Sequence, residues 1–325
     1  MSKYIKGSWF EFQHHNKAEG KYWNEASANF TSEQWDSKIK EMAELGMEYV
    51  VLMATALDYE AYYDTNIFPK AKLKDKNPIE TVLTSADKYG LKFFIGGGFY
   101  GDWTSNYDSF ENKEVARRRL QAINELAEKF GHHKSFYGWY WPNEAFINKY
   151  YDEKFIDYVN ELSKEGRKLI PKSKILIAPY GTRIAVPDDK YVSQLEKMDV
   201  DIVAYQDEIG VRKTQIHESE GFFSGLRKAH DKVPQVAMWA DVEFFEFEGD
   251  VYKSALIPAN FERTKKQLEA VSPYVDNILI YQYQGMMNKP GSSAFAGHPD
   301  SAKLYSEYLS WLTKNHPHAV KQIIR

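Results

Sequence analysis

The chain has 325 residues, with 46 acidic and 42 basic side chains and a formal net charge of −4. Nucleic-acid-binding proteins usually show a basic excess or a basic stripe, so we expect no nucleic-acid partner. The apolar runs are shorter than the roughly 18 residues of a membrane span, so we expect no membrane segment. Cysteine is absent, which excludes disulfides, thiolate zinc sites and cysteine nucleophiles.

The first residues and the aromatic content give two weaker indications. Residues 1–6 lack the apolar core of a signal peptide, which favours a cytoplasmic protein. A secreted or periplasmic protein whose signal peptide has been removed would look the same. Aromatic residues make up 15% of the chain, which fits a carbohydrate-binding cleft and fits a large core equally well.

Eight short apolar runs alternate with longer amphipathic segments, and no motif repeats at a fixed period. Runs of this length and composition predict β-strands. In chain order, the predicted strands are 7–12, 49–55, 92–97, 136–141, 174–179, 201–206, 235–242 and 277–283.

The amphipathic segments between these strands have helical spacing, as at 120–130 and 155–169. Thr31 and Gln34 have the spacing of a capping box, and Asn77 precedes a proline as an N-cap does. The other predicted helices lie near 33–45, 78–89, 188–197, 214–230, 258–271 and 301–315.

This strict order of strands and helices predicts an α/β fold, the (β/α)8 TIM barrel, in a single domain over 1–325. An open doubly wound sheet is the alternative. It usually has fewer strands and a glycine-rich first turn, whereas the first predicted turn here, 13–16, contains no glycine. The sequence therefore favours the barrel.

Active sites of TIM barrels lie at the carboxyl ends of the strands. The residues that follow the predicted strands are mostly carboxylates, amides and aromatic rings. Sugars need this mixture, because their hydroxyls bind polar groups and their C–H faces lie on aromatic rings. We expect the sugar to meet Asn143, Trp103, Tyr205, Gln206, Asp207, Trp239, Asp241 and Gln282.

Two carboxylates lie where glycosidic cleavage requires an acid and a base or nucleophile. Glu144 follows Asn143 at the end of the fourth predicted strand. Glu243 comes two residues after Asp241 at the end of the seventh, so both face the same side of an extended chain. Trp239, if it shares that face, would form an aromatic platform beneath them.

The Asn143-Glu144 pair resembles the acid/base motif of clan A glycoside hydrolases. In that clan the asparagine holds the sugar 2-hydroxyl, the glutamate protonates the leaving oxygen, and a glutamate ending the seventh strand is the nucleophile. The whole chain also resembles a bacterial TIM-barrel family that carries a domain-of-unknown-function label and is regarded as glycoside-hydrolase-like. The matching segments are 138–144, 205–207 and 239–243, and the resemblance implies the barrel and a glycosidase activity.

We therefore expect hydrolysis of an O-glycosidic bond in an oligosaccharide or polysaccharide, with no metal and no other cofactor. Glu144 would be the general acid, its pKa raised by its surroundings. Glu243 would be the nucleophile of a retaining enzyme. In an inverting enzyme, Glu243 or Asp207 would activate water instead.

Several alternatives stay open from the sequence. Asp241, Glu246 or Asp207 could replace Glu243 as the second carboxylate. The barrel could bind sugar without cutting it, or act as a metal-dependent sugar isomerase or epimerase. The pairs 14–15 and 132–133 are both His-His, but adjacent residues in a strand point apart, which argues against a shared metal ion.

Overall fold

The computed structural model describes residues 2–321, in which eight parallel strands close into a barrel. The strands are β1 (Gly7–Phe10), β2 (Tyr49–Leu52), β3 (Lys92–Gly96), β4 (Phe136–Tyr140), β5 (Lys174–Ile177), β6 (Ile202–Gln206), β7 (Ala237–Glu243) and β8 (Asn277–Tyr281). Each strand pairs with its neighbours in chain order, and β1 also pairs with β8 through Gly7 and Leu279. This closure confirms the predicted TIM barrel and excludes an open doubly wound sheet.

Eight helices cover the outside of the barrel. They are α1 (Ser32–Glu44), α2 (Pro78–Tyr89), α3 (Lys113–Phe130), α4 (Glu153–Leu169), α5 (Asp189–Lys197), α6 (Ile216–His230), α7 (Phe261–Val271) and α8 (Ser301–Asn315). None of the helices within residues 2–321 combines the length and the apolar character that a membrane crossing requires.

Shorter elements decorate the loops. Two small antiparallel hairpins pair Ala56–Leu57 with Glu60–Ala61 and Phe245–Phe247 with Leu256–Pro258. The second hairpin explains why α7 begins at Phe261 rather than at the predicted 258. The short helices are Asn24–Ala28, Asn106–Phe110 and Tyr283–Met286, and the 3-10 turns are Glu19–Tyr22, Thr182–Ile184 and Pro317–Ala319.

The caps show how local sequence fixes the helix starts. At α1 both halves of the predicted capping box form: Thr31 Oγ1 accepts from the Gln34 amide, and the Gln34 side chain accepts from the Thr31 amide. Asn77 occupies the predicted N-cap position of α2, but its side chain caps no amide. Its Oδ1 accepts instead from Lys70 Nζ, at 3.2 Å.

The buried side chains form two layers, one inside the barrel and one between barrel and helices. Tyr140 of β4 packs in the barrel interior. Trp139 of β4 and Trp141, one residue beyond the strand, pack in the outer layer with their rings stacked 5.9 Å apart. Alternating side chains of a strand point to opposite faces, so the spacing separates Tyr140 from the two tryptophans, and tertiary packing decides which face is the interior. In β7 the interior face carries Trp239, in contact with Tyr49.

Close backbone approach at Gly138 gives a test of the packing between strands. A Cβ added there would lie 2.1 Å from the carbonyl oxygen of Lys174 on the adjacent strand β5. We therefore expect Gly138→Ala to lower the free energy of unfolding by about 1–3 kcal/mol, as measured by urea denaturation.

Gly221, on α6, is the matched control, because a Cβ there would meet nothing within 4 Å. Gly221→Ala should raise the free energy of unfolding by about 0.5–1 kcal/mol, since alanine is the better helix former. Equal effects at the two sites would contradict the close strand packing.

Candidate active site

A cavity of about 640 Å³ opens at the carboxyl ends of the barrel strands. Among the described residues, its lining carries five carboxyl groups and one lysine, together with aromatic rings and amides. The carboxyl groups and the lysine belong to Glu19, Glu144, Glu208, Asp241, Glu243 and Lys213.

The end of β7 brings two carboxyl groups into the cavity. Asp241 and Glu243 share one face of the strand, as their spacing predicts, and both line the cavity. Trp239 shares this face but packs one step lower in the barrel interior, where it is only 3% exposed. Trp239 therefore supports the cavity floor from below instead of offering a surface to a ligand.

Glu243 is held by the loop after β6 and by α7. Its Oε2 accepts the amide of Val211 at 2.8 Å, and its backbone carbonyl accepts from Arg263 Nη2, also at 2.8 Å. Burial raises the pKa of the Glu243 carboxyl well above its usual range, and the nearby charge of Asp207 adds to the shift. The Val211 amide opposes that shift, because it stabilises the carboxylate.

Asp207 lies behind the cavity wall, between β7 and α7. Its Oδ2 accepts from Gln267 Nε2 at 2.7 Å, and its Oδ1 accepts from the amides of Glu243 and Ile209. Burial raises the pKa of Asp207 to about 6, while these donors lower it. Asp207 thus anchors the β7 backbone and does not face the cavity, in contrast to the predicted sugar contact.

Glu144 lies in the loop after β4 and is half-buried at the edge of the cavity. Burial raises the pKa of Glu144 to about 7, against the lowering effects of Gln206, Tyr140 and the charge of Lys213. The Tyr140 hydroxyl is 3.5 Å from Glu144 Oε1, at the outer limit of a hydrogen bond. A carboxyl group in this state holds a proton near neutral pH and can reach a ligand.

Asn143, the predicted partner of Glu144, also lines the cavity and is held firmly. Its Nδ2 donates to Ser109 Oγ at 2.9 Å, and its Oδ1 accepts from the Tyr158 hydroxyl at 3.3 Å. Gln206 and Trp103, two further predicted contacts, line the cavity as well.

Two predicted contacts lie away from the cavity. Tyr205 packs in the outer layer. Its hydroxyl group forms hydrogen bonds with the Tyr191 hydroxyl, at 2.8 Å, and with His230 Nε2, at 3.0 Å. Gln282 is fully buried after β8, and its Nε2 donates to Glu11 Oε1 at 3.0 Å. Its neighbour Tyr281 lines the cavity instead.

The loop after β1 supplies residues that the sequence analysis did not place in the site. His14, His15 and Glu19 line the cavity. The two imidazole rings stack with centroids 4.3 Å apart. Because β1 ends at Phe10, the pair lies in a loop, where adjacent side chains need not point to opposite sides as they do in a strand. Burial raises the pKa of Glu19 to about 7 and lowers the pKa of His14 to about 4.

These histidines and Glu11 offer donor atoms within 4.8 Å of one another. The imidazole planes are only 22° from parallel, so their in-plane lone pairs do not converge on one point about 2 Å from both. Glu11 Oε1 already accepts from Trp23 Nε1 and Gln282 Nε2. This geometry fits side chains that form hydrogen bonds at the cavity edge better than it fits the ligands of a metal ion.

Outside the cavity, the second histidine pair forms part of a surface cluster. His133 Nδ1 lies 2.8 Å from Asp87, and its Nε2 lies 3.3 Å from Glu80. Both ring nitrogens of His133 therefore already have carboxylate partners.

A family model described as a domain of unknown function, DUF4434, matches residues 5–294. The chain belongs to the DUF4434 family. This agrees with the glycoside-hydrolase-like TIM-barrel family to which the sequence is similar. No curated protein matches the chain in sequence.

Solved structures with the same fold include glycoside hydrolases. A proposed alpha-L-fucosidase from Bacteroides thetaiotaomicron has a TM-score of 0.74 at 20% identity, over 95% of this chain and 93% of that one. The endo-1,4-beta-mannanase from Rhizomucor miehei has 0.59 at 10% identity, over 96% and 95%. The beta-D-glucuronidase of Dictyoglomus thermophilum has 0.54 at 13%, over 94% and 50%. The DUF4434 chain thus has the TIM-barrel fold found in glycoside hydrolases.

The anchor formed by Asp207 and Gln267 gives a second testable prediction. Gln267→Met removes a buried donor from Asp207, which should lower the free energy of unfolding by about 1–3 kcal/mol. The loss should increase above pH 6. Without the donor the pKa of folded Asp207 rises further above its unfolded value, so stability continues to fall at higher pH.

Urea denaturation between pH 5 and pH 8 measures this effect. Lys266→Met, at an exposed position on the same helix, is the control and should show little change. A Gln267→Met loss that does not vary with pH would contradict the role of Asp207.

Proposed function

We propose that this DUF4434 protein is a glycoside hydrolase that cleaves an O-glycosidic bond in an oligosaccharide or polysaccharide. The observation that carries the proposal is that Glu144 and Glu243, from separate strand ends, line one cavity with amides and aromatic rings. Glycoside hydrolysis requires such a pair of carboxyl groups beside the bond. The family and the fold of the solved structures support this choice.

Glu144 is the general acid of this mechanism. Its pKa of about 7 keeps a large fraction protonated near neutral pH, and its half-buried position leaves it accessible from the cavity. It gives its proton to the leaving oxygen as the glycosidic bond breaks. Asn143 fits the role of holding a sugar hydroxyl next to that oxygen.

Glu243 is the second carboxylate. In a retaining enzyme it attacks the anomeric carbon, and Glu144 then removes a proton from the water that releases the sugar. In an inverting enzyme Glu243 accepts the proton of the attacking water. Asp207 is a poor candidate for that second role, because both its oxygens accept hydrogen bonds behind β7. Glu246 lies outside the cavity lining, in the hairpin after β7.

The charge of the cavity favours neutral sugars. The five carboxyl groups of the lining outnumber its one lysine, and Lys213 Nζ already lies 3.9 Å from Glu208 Oε1. An anionic sugar would bring further negative charge into this buried site, at a cost in electrostatic energy. We therefore expect neutral glycosides to be better substrates than uronic acid glycosides.

Removal of either carboxyl group tests the assignment. Glu144→Gln should lower kcat/KM by about 10²–10⁴-fold, the usual worth of a general acid, and Glu243→Gln should cost at least as much. A panel of 4-nitrophenyl glycosides and neutral oligosaccharides provides the substrates, and circular dichroism checks the fold.

Glu246→Gln is the control and should keep full activity, because Glu246 does not line the cavity. A fully active Glu144→Gln variant would rule out Glu144 as the acid. If the wild-type protein binds glycans from the panel but cleaves none, the barrel is a binding protein. The anomeric configuration of the first product, followed by NMR, distinguishes retention from inversion.

The pH dependence gives a further prediction. Activity on glycosides with poor leaving groups should fall as the pH rises above about 7, because Glu144 loses its proton in that range. A 2,4-dinitrophenyl glycoside needs no protonation of its leaving group, so its rate should fall much less. Alkaline losses of equal size for the two substrates would argue against Glu144 as the proton donor.

A further inference from the structure

Asp241 is one of three carboxyl groups in the cavity lining, with Glu19 and Glu208, to which the mechanism gives no chemical step. It lies two residues before Glu243 on the same face of β7 and is 4% exposed. Within residues 2–321, no group makes a hydrogen bond to its Oδ1, although that atom is fully buried. Oδ1 is thus an unsatisfied buried acceptor, and the carboxyl group to which it belongs lines the cavity.

The other buried carboxyl groups of this region have donors. Glu243 accepts the Val211 amide, and Asp207 accepts two backbone amides and the Gln267 side chain. A carboxylate buried without donors is costly, whereas the neutral acid is much less so. The difference in hydrogen bonding therefore assigns the negative charge to Glu243 before Asp241.

The charged groups around Asp241 act in the same direction. Glu243 on its own strand, Glu144 after β4 and Asp207 after β6 all raise the pKa of Asp241, in addition to the larger effect of burial. The pKa of Tyr140, on β4, is itself raised well above its usual range, chiefly by burial, and the charge of Asp241 contributes to that shift. Among the described residues, no positively charged group contributes a marked lowering of the pKa of Asp241.

We propose that Asp241 is a carboxylic acid in the working protein and donates a hydrogen bond from the cavity floor to an oxygen of the bound sugar. Glu243 then carries the negative charge on β7. The sugar as ligand rests on the proposed function, whereas the protonated state of Asp241 does not. In this arrangement Asp241 positions the substrate and selects sugars that carry an oxygen next to its carboxyl group. Glu243 acts as the nucleophile or the base.

The protonated state can be tested without any substrate. Asp241→Asn keeps the shape and the donor but cannot ionise. Wild type should lose stability as the pH rises above the usual range of aspartate, because the folded state retains a proton that the unfolded chain releases. The advantage in Tm of Asp241→Asn over wild type should therefore grow between pH 5 and pH 8, by about 2–4 °C.

Asp157→Asn, at an exposed position on α4, is the control and should show a difference in Tm that does not vary with pH. A constant difference for Asp241→Asn as well would overturn the proposal. This result stands whether or not any glycoside is cleaved, so failure of this inference can be told from failure of the proposed function.

The donor role is tested on whichever panel glycoside the wild-type protein cleaves best. Asp241→Ala removes the donor and should lower kcat/KM by about 10–100-fold. Asp241→Asn retains an N–H donor, so its kcat/KM should be close to that of wild type. Glu243→Gln should stay inactive, because an amide cannot replace the carboxylate of Glu243. An Asp241→Asn variant as inactive as Glu243→Gln would show that Asp241 is the ionised carboxylate and would overturn the proposal.

Discussion

The site depends on one electrostatic constraint, the crowding of several buried carboxyl groups at the mouth of the barrel. Burial is the largest cause of the raised pKa values of Glu144, Asp207, Asp241 and Glu243. Each group must therefore either find hydrogen-bond donors or keep its proton. Asp207 and Glu243 have such donors, whereas Asp241 Oδ1 has none among the described residues.

The closed barrel supports this crowded arrangement of carboxyl groups. The ladder between β1 and β8 leaves no open sheet edge, and aromatic side chains fill the interior below the cavity. Trp239 contacts Tyr49 there, directly beneath the carboxyl groups of β7. Arg263 and Gln267 of α7 hold the backbone carbonyl of Glu243 from outside. The acidic groups are thus fixed from below and behind, and they face open space on one side.

Sequence reasoning succeeded where strand periodicity decides the outcome. Alternation along β4 places Tyr140 and Trp139 in different layers, and the spacing in β7 predicted a shared face for Asp241 and Glu243, to which Trp239 also belongs. The sequence predicted side-chain directions less well where a strand ends and a loop begins. One step past the end of β6, Asp207 turns toward α7, because the Gln267 side chain and two backbone amides offer it hydrogen bonds there.

The sequence by itself determined the fold, since eight apolar runs alternating with amphipathic segments leave few ways to bury their faces. It also determined which strand ends carry carboxyl groups. Only the tertiary structure decided which of those groups share a cavity and which are tied to the helices. It brought His14 and Lys213, about 200 residues apart in the chain, into one lining. Loop backbones follow no short period, so their side chains take directions that only long-range packing can set.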